Sequence, residues 1–199
     1  MKIIVIGGTG TIGKAVAEEL APRHEVLIAG RSKGDLLCDT TSEESIRKMF
    51  QQAGSFDAVV TATGRVPFED FSKLTAGQYL MGLNDKLMGQ VNVVRIGCEY
   101  IREQGSFTLV SGILGHDPVR GSCAAAMANG AIEAFVKAAA FELPKQIRIN
   151  AICPTIIIES LNKYAPYFRG FDPVPVKKVA LAFCKSIEGH QTGQIYKVL

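Results

Sequence analysis

Three glycines, Gly7, Gly10 and Gly13, stand three residues apart directly behind the apolar run Ile3 to Ile6. Residues of this type at this spacing handle phosphate. The first glycine permits a tight turn, the second lets a pyrophosphate approach the backbone, and the third lets a helix pack closely on its strand. A helical pattern starts at once, so unpaired N–H groups and a positive dipole end face the anion. Gly7, Thr9, Gly10, Thr11, Ile12 and Gly13 are the residues expected around the phosphates. The spacing is GxxGxxG rather than the commoner GxGxxG. Its position between an apolar strand and an amphipathic helix carries the reading.

A second group follows at Gly30-Arg31-Ser32. An NAD-preferring protein places an acid near the end of this strand to hold the ribose hydroxyls. A guanidinium followed by a hydroxyl suits a 2′-phosphate instead, which predicts NADP(H). The alternative is that Arg31 is a solvated loop residue. Thr61-Ala62-Thr63-Gly64 ends another strand in small residues, the kind that lie beside a ligand in an open α/β sheet. Groups able to give a proton are scattered: Ser111, His116 with its near-neutral ordinary pKa, and Tyr164 and Tyr167 in an irregular stretch. Against each stands a plainer role, as a strand-end, turn or packing residue. No His, Asp or Glu spacing predicts a metal site.

These groups need elements to hold them. The pattern predicts strands at 3–6, 25–29, 36–38, 56–61, 106–111, 147–152 and 194–199. Ile3 to Ile6 is β-branched without alternation, as in a strand buried on both faces. Helical patterns run from Gly13 to Pro22, over 41–53 with Ser42 as cap, over 75–104, over 123–141 and over 176–187. Glycines at 77, 82, 89 and 97 in the third of these predict close packing. Too few residues separate the second and third strands for a crossover helix, so a compact loop is expected. Strands alternating with helices give the fold class: α/β, a doubly wound, mostly parallel, Rossmann-like sheet of about seven strands, in one domain over 1–199.

Bulk properties fit one globular domain. The chain has 199 residues, 47% hydrophobic and 21% charged, with a net charge of +3. That charge is small and dispersed, which argues against nucleic acid. Neither a signal peptide nor a membrane span is expected. Cys38, Cys98, Cys123, Cys153 and Cys184 lack CxxC spacing and read as buried free thiols in a reducing cytoplasm.

Over nearly its whole length the chain resembles the short-chain dehydrogenase/reductase family. The resemblance is carried by Gly7-x-x-Gly10-x-x-Gly13, Gly30-Arg31-Ser32, Asp39-Thr40-Thr41-Ser42, Thr61-Ala62-Thr63-Gly64, Val110-Ser111-Gly112-x-x-Gly115, Ile147 to Pro154, and Gln191-Thr192-Gly193-Gln194. It implies that Asp39 contacts the adenine and that Ala62, Thr63 and Gly64 lie along the cofactor. It also implies that backbone near Ile157 meets the nicotinamide carboxamide, and that 160–175 closes over substrate. Thr155 stands where the family usually has a glycine.

The family's proton donor is a tyrosine, supported by a serine and by a lysine four residues on, with an asparagine on the preceding long helix. Aligned on Glu133-Ala134-Phe135, the lysine position falls on Asn129, the tyrosine on Ala125, the serine on Gly112 and the asparagine on Lys86. Lysine and asparagine are thus exchanged, as in ketoreductase domains of polyketide synthases. Lys86 and Asn129 are the expected catalytic groups, Lys86 also holding the ribose, with Ser111 a candidate beside the vacant serine position. If the exchange is incidental, Lys86 is a solvated helix lysine. The resemblance implies an atypical NADP-dependent oxidoreductase for a small carbonyl or alcohol, associated as a homodimer or homotetramer. A weakly catalytic NADP(H)-binding protein with a structural or regulatory role is the alternative, and an isomerisation or elimination a third.

Overall fold

The computed structural model describes residues 1–199. Seven parallel strands form one sheet in the order β3-β2-β1-β4-β5-β6-β7. They are β1 (Lys2–Ile6), β2 (Glu25–Gly30), β3 (Leu36–Leu37), β4 (Phe56–Thr61), β5 (Ile101–Val110), β6 (Arg148–Pro154) and β7 (Ile195–Val198). The helices are α1 (Thr11–Leu20), α2 (Glu43–Ala53), α3 (Ala76–Gly82), α4 (Gly89–Gly97), α5 (Cys123–Glu142), α6 (Leu161–Tyr164) and α7 (Val176–Glu188). The strand order reverses between β1 and β4, which opens a crevice at the carboxyl ends of those strands.

Side-chain alternation along β1 splits the core in two. Ile4 and Ile6 pack with Phe50, Phe56, Phe107 and Ile132 under α2, α4 and α5. Ile3 and Val5 pack with Val16, Leu20, Phe183 and Ile187 under α1 and α7. Both faces of β1 are therefore apolar, which is why its sequence shows no alternation. Ser42 caps α2, its Oγ accepting from the Ser45 N–H at 3.2 Å. Residues 31–35 form a loop that returns Leu36 beside Ala29, in place of a crossover helix.

The single helix expected over 75–104 is divided and shorter. After α3, residues Leu83–Met88 form a π-helical turn, α4 follows, and the chain leaves the helix at Gly97. Ile101 already pairs with Phe56, and the register shifts before Ser106 pairs with Ala58. Gln104, at φ 61, turns its N–H to the Lys145 carbonyl within that irregularity. Long-range pairing with β4 thus overrides the local helical pattern. The glycine packing holds at three of the four positions. A Cβ on Gly97 would meet the Phe107 ring at 2.8 Å, one on Gly89 the Thr40 side chain at 3.0 Å and one on Gly82 Pro67 at 3.1 Å, whereas Gly77 has almost nothing near it.

The cysteine expectation holds in part. All five are free, but Cys123 opens α5 exposed and Cys98 is half-buried; only Cys38, Cys153 and Cys184 are buried. No helix is long and apolar enough to cross a membrane.

Candidate active site

The crevice begins at the β1–α1 turn. Gly7 has φ 82, and a Cβ there would lie 2.5 Å from the Ala62 carbonyl oxygen. A Cβ on Gly13 would overlap the Gly7 carbonyl. Only bare backbone lets the turn, the end of β4 and the start of α1 come this close. Gly10 is the residue before α1 and offers no side-chain cap. The first-turn N–H groups of α1 are thereby left to a ligand. Gly7, Thr9, Gly10, Arg31, Ala62 and Thr63 line one cavity, together with Arg65 and Asp85. The shape and donor chemistry of this cradle fit a dinucleotide phosphate.

Arg31 reaches into that cavity, half-exposed. Its Nη2 is 3.1 Å from Asp39 Oδ1 and 3.7 Å from Asp85 Oδ2. Asp39 also accepts from the Thr41 hydroxyl at 2.7 Å and the Thr41 N–H at 3.0 Å. Those hydrogen bonds, with Arg31 beside it, hold the Asp39 carboxyl below the usual range. Burial pushes the Asp85 carboxyl up, against the pull of Arg31. Ser32 lies in the exposed turn and does not line the cavity.

A second cavity, of about 220 Å³, adjoins the carboxyl ends of β5 and β6. Lys86, Ser111, Gly112, Ala125, Asn129 and Ile157 all line it, with Ile12 from the start of α1 and Tyr164 and Phe168 from the segment after β6. The fold therefore brings into one space every position that the family alignment assigns to catalysis. Tyr164 and Tyr167 pack edge-on against Phe68, their centroids 6.3 and 4.7 Å from its ring. Both rings thus have a packing role, yet Tyr164 keeps a face on the cavity.

Lys86 is carried by the π turn, where an extra residue per turn re-aims a side chain. Its stem lies against Gly64, where a Cβ would meet the Lys86 Cγ at 2.5 Å. Gly64 thus acts as the floor for the lysine. The Nζ donates to the Ser111 carbonyl at 3.2 Å and makes no ion pair. Protein surrounds it, although the stem keeps some surface on the cleft. Desolvation pushes the ammonium down to about 8. Asn129 is 2% exposed, and its Oδ1 has no hydrogen-bond partner. Its Nδ2 lies 3.0 Å from where a Cβ on Gly112 would be. The missing side chain at Gly112 is what gives the amide room.

Ser111 turns its hydroxyl out of this space. Its Oγ donates to Glu133 Oε1 at 2.8 Å, and its carbonyl faces Lys86. The other Glu133 oxygen pairs with His116 Nε2 at 2.7 Å. Ligand-type atoms of His116, Glu133 and Cys153 lie within 4.8 Å of one another, a grouping that linear spacing does not reveal. Burial pushes the Cys153 thiol up to about 11.

Sequence reasoning also passed over Gln90, a fully buried side chain on α4. Its Nε2 donates to the carbonyls of Lys86 at 3.1 Å and Val110 at 3.0 Å, and its Oε1 accepts from the Val110 N–H at 2.9 Å and from the Thr61 hydroxyl. It pins the Lys86 turn to the ends of β4 and β5. A glutamine inside an apolar stripe, four residues after Lys86, was the signal available.

Comparison with known proteins agrees with this architecture. A family model for enoyl-(acyl carrier protein) reductase matches residues 8–198. The chain is 27% identical to a tropinone reductase homolog of Datura stramonium, covering 98% of this chain and 89% of that one. It is 26% identical to 3-oxoacyl-(acyl-carrier-protein) reductase FabG of Aquifex aeolicus, covering 98% and 85%. Among solved structures, the Listeria innocua protein lin1944 superposes with a TM-score of 0.98 at 47% identity over the whole of both chains. A small-chain dehydrogenase in complex with NADPH superposes at 0.88 with 27% identity, covering all of this chain and 96% of that one. With this match along nearly its whole length and a seven-stranded doubly wound sheet around it, the chain belongs to the short-chain dehydrogenase/reductase family.

Proposed function

We propose that this protein is an NADP(H)-dependent oxidoreductase acting between a small carbonyl compound and its alcohol. The observation that carries the reading is the cavity that unites Lys86, Asn129 and the wall at Ile157 at the end of the phosphate crevice. Bound nicotinamide supplies the hydride; the chain's part is to bind, orient and manage the proton. Gly7, Thr9, Gly10, Thr11, Ile12 and Gly13 hold the pyrophosphate, and Asp39 takes the adenine. Ala62, Thr63 and Gly64 flank the cofactor, and Ile157 takes the carboxamide. Lys86 also holds the nicotinamide ribose.

Arg31 supports NADP(H) over NAD(H), with Ser32 beside it, and the NADPH complex of a 27% identical relative agrees with that choice. The lining of the cavity is mostly apolar, which suits a small hydrophobic ketone or aldehyde, and residues 160–175 serve as its lid. Exposed Met127 and Phe141 on α5 support association as a homodimer or homotetramer. Five free thiols support a reducing, cytoplasmic setting.

Gly112 and Ala125 favour a second reading, a cofactor-binding protein with little turnover, since neither gives a proton. Titration of NADPH and NADH by fluorescence, followed by NADPH oxidation over a panel of small carbonyls, tests both. Tight NADPH binding with turnover is expected. Binding without turnover supports the second reading, and absence of NADPH binding overturns both.

A further inference from the structure

The second cavity holds one ammonium and no carboxylate. Lys86 uses one hydrogen bond on the Ser111 carbonyl and has no ion-pair partner. A lysine ammonium has three N–H donors, so two remain for whatever enters. Beside it, the Asn129 amide is almost fully buried, and its Oδ1 is unpartnered. That oxygen can only accept, so it pairs with a hydroxyl of a bound molecule; the donor of the same amide is Nδ2, which faces Gly112. Resting on the oxidoreductase reading above, we propose that Lys86 itself gives the proton to the substrate oxygen, while the Asn129 Nδ2 over Gly112 donates a hydrogen bond that holds that oxygen. The two stand in for the hydroxyl pair that Ala125 and Gly112 lack.

The step balances without another reagent. In reduction, a C–H bond forms at the carbonyl carbon with the hydride from reduced nicotinamide, and the C=O π pair moves to oxygen. One N–H bond of the Lys86 ammonium breaks and an O–H bond forms. The neutral amine left behind takes a proton from water at the cavity mouth. In oxidation the same amine accepts the alcohol proton.

The surroundings suit this role. Against the lysine pack Gly64 after β4, Ser111 after β5, α5 with Asn129, and β6 with Cys153. Of these groups only the Cys153 thiol titrates, and it is itself pushed up to about 11. Tyr164 is the other titratable group on the cavity wall. With no anion to stabilise the ammonium, burial brings it down to about 8, near the pH at which a general acid is most effective. Tyr164 is the rival donor, but it leans on Phe68 from the segment after β6.

The test starts on the nucleotide-free protein. Lysine labelled with carbon-13 at Cε is followed by NMR against pH, and the Lys86 signal is assigned as the one missing from Lys86→Arg. A midpoint near 8 is expected; a midpoint at the ordinary lysine value of about 10.4 overturns the proposal. NADPH affinity is measured separately by fluorescence. With the cofactor and a reducible carbonyl, kcat falls as pH rises through about 8. Lys86→Arg keeps the charge but releases no proton, and loses kcat on the order of 10²–10⁴-fold. Small primary amines restore turnover to Lys86→Ala in order of their acidity, and the fall in kcat near pH 8 persists in Tyr164→Phe. NADPH binding and turnover with full kcat in Lys86→Arg, or disappearance of the fall near pH 8 in Tyr164→Phe alone, overturns this proposal and leaves the oxidoreductase reading intact. Absence of NADPH binding, or binding without turnover, overturns both.

Discussion

Arg31→Ala separates the two nicotinamide cofactors by a margin that the structure sets. The guanidinium is 46% exposed and already sits 3.1 Å from Asp39 and 3.7 Å from Asp85. A charge-assisted hydrogen bond to a phosphate contributes about 1.5–3 kcal/mol. Solvent screening at this exposure favours the low end. A 2′-phosphate must also draw Arg31 from two carboxylates, so the net contribution is about 1–2 kcal/mol. NADPH affinity should therefore fall roughly 5–30-fold in Arg31→Ala, while NADH affinity stays within about twofold. Asp85→Asn should act in the opposite sense. It keeps an acceptor for the Arg65 N–H at 2.8 Å but removes a competing anion, and NADPH binding should tighten several-fold. Calorimetric titration of both cofactors at two salt concentrations measures this, with the NADPH advantage shrinking at high salt. Equal losses for NADPH and NADH in Arg31→Ala, or weaker NADPH binding in Asp85→Asn, would refute the assignment of Arg31 to the 2′-phosphate.

Other expectations follow from single contacts. Gly13→Ala places a methyl group on the Gly7 carbonyl, so NADPH affinity should drop more than about tenfold and the melting temperature should fall; wild-type affinity would refute the close approach. The Lys86 ammonium has a folded pKa near 8 against an ordinary value of 10.5, so between these the unfolded chain binds more protons and stability rises with pH. Lys86→Met should stabilise the protein by up to about 3 kcal/mol at pH 7, with the gain vanishing above the ordinary lysine pKa; urea titrations of both proteins across that range check the sign. Ser111→Ala leaves Glu133 with one hydrogen bond fewer in a buried place and should cost about 1–3 kcal/mol by chemical denaturation. Phe141 is 93% exposed at the end of α5, and Phe141→Glu together with Met127→Glu should reduce the mass seen by light scattering; a monomeric wild type, or an unchanged mass in the variant, would refute association through α5.

Much of the fold was legible because its signals are local. Ile3 to Ile6 followed by spaced glycines marks a buried strand, a tight turn and a helix start within thirteen residues. Where long-range pairing competes with local pattern, the reading failed. Residues 101–104 look helical, yet Ile101 finds Phe56 across the sheet, and the helix ends at Gly97. The π turn at 83–88 escaped the periodicity because it spans only six residues, too few for a shift in the phase of the apolar stripe to stand out. Cys123 looked buried among alanines, but it falls on the outward face of α5.

The site divides along the same line. The sequence alone determined which side chains are present: glycines at the β1–α1 turn, Arg31 after β2, and no tyrosine or serine at Ala125 and Gly112. Those statements need only residue identity and offset within one element. Tertiary structure decided where these groups point. Ser111 is one residue from the vacant serine position, and strand alternation sends its hydroxyl to Glu133 rather than into the cavity. Lys86 and Asn129 are 43 positions apart on different helices, and packing of α5 against the π turn brings both onto one cavity wall. A lysine's charge is written in the chain; the apolar, anion-free surroundings that bring it down to about 8 exist only once four separate elements have closed around it.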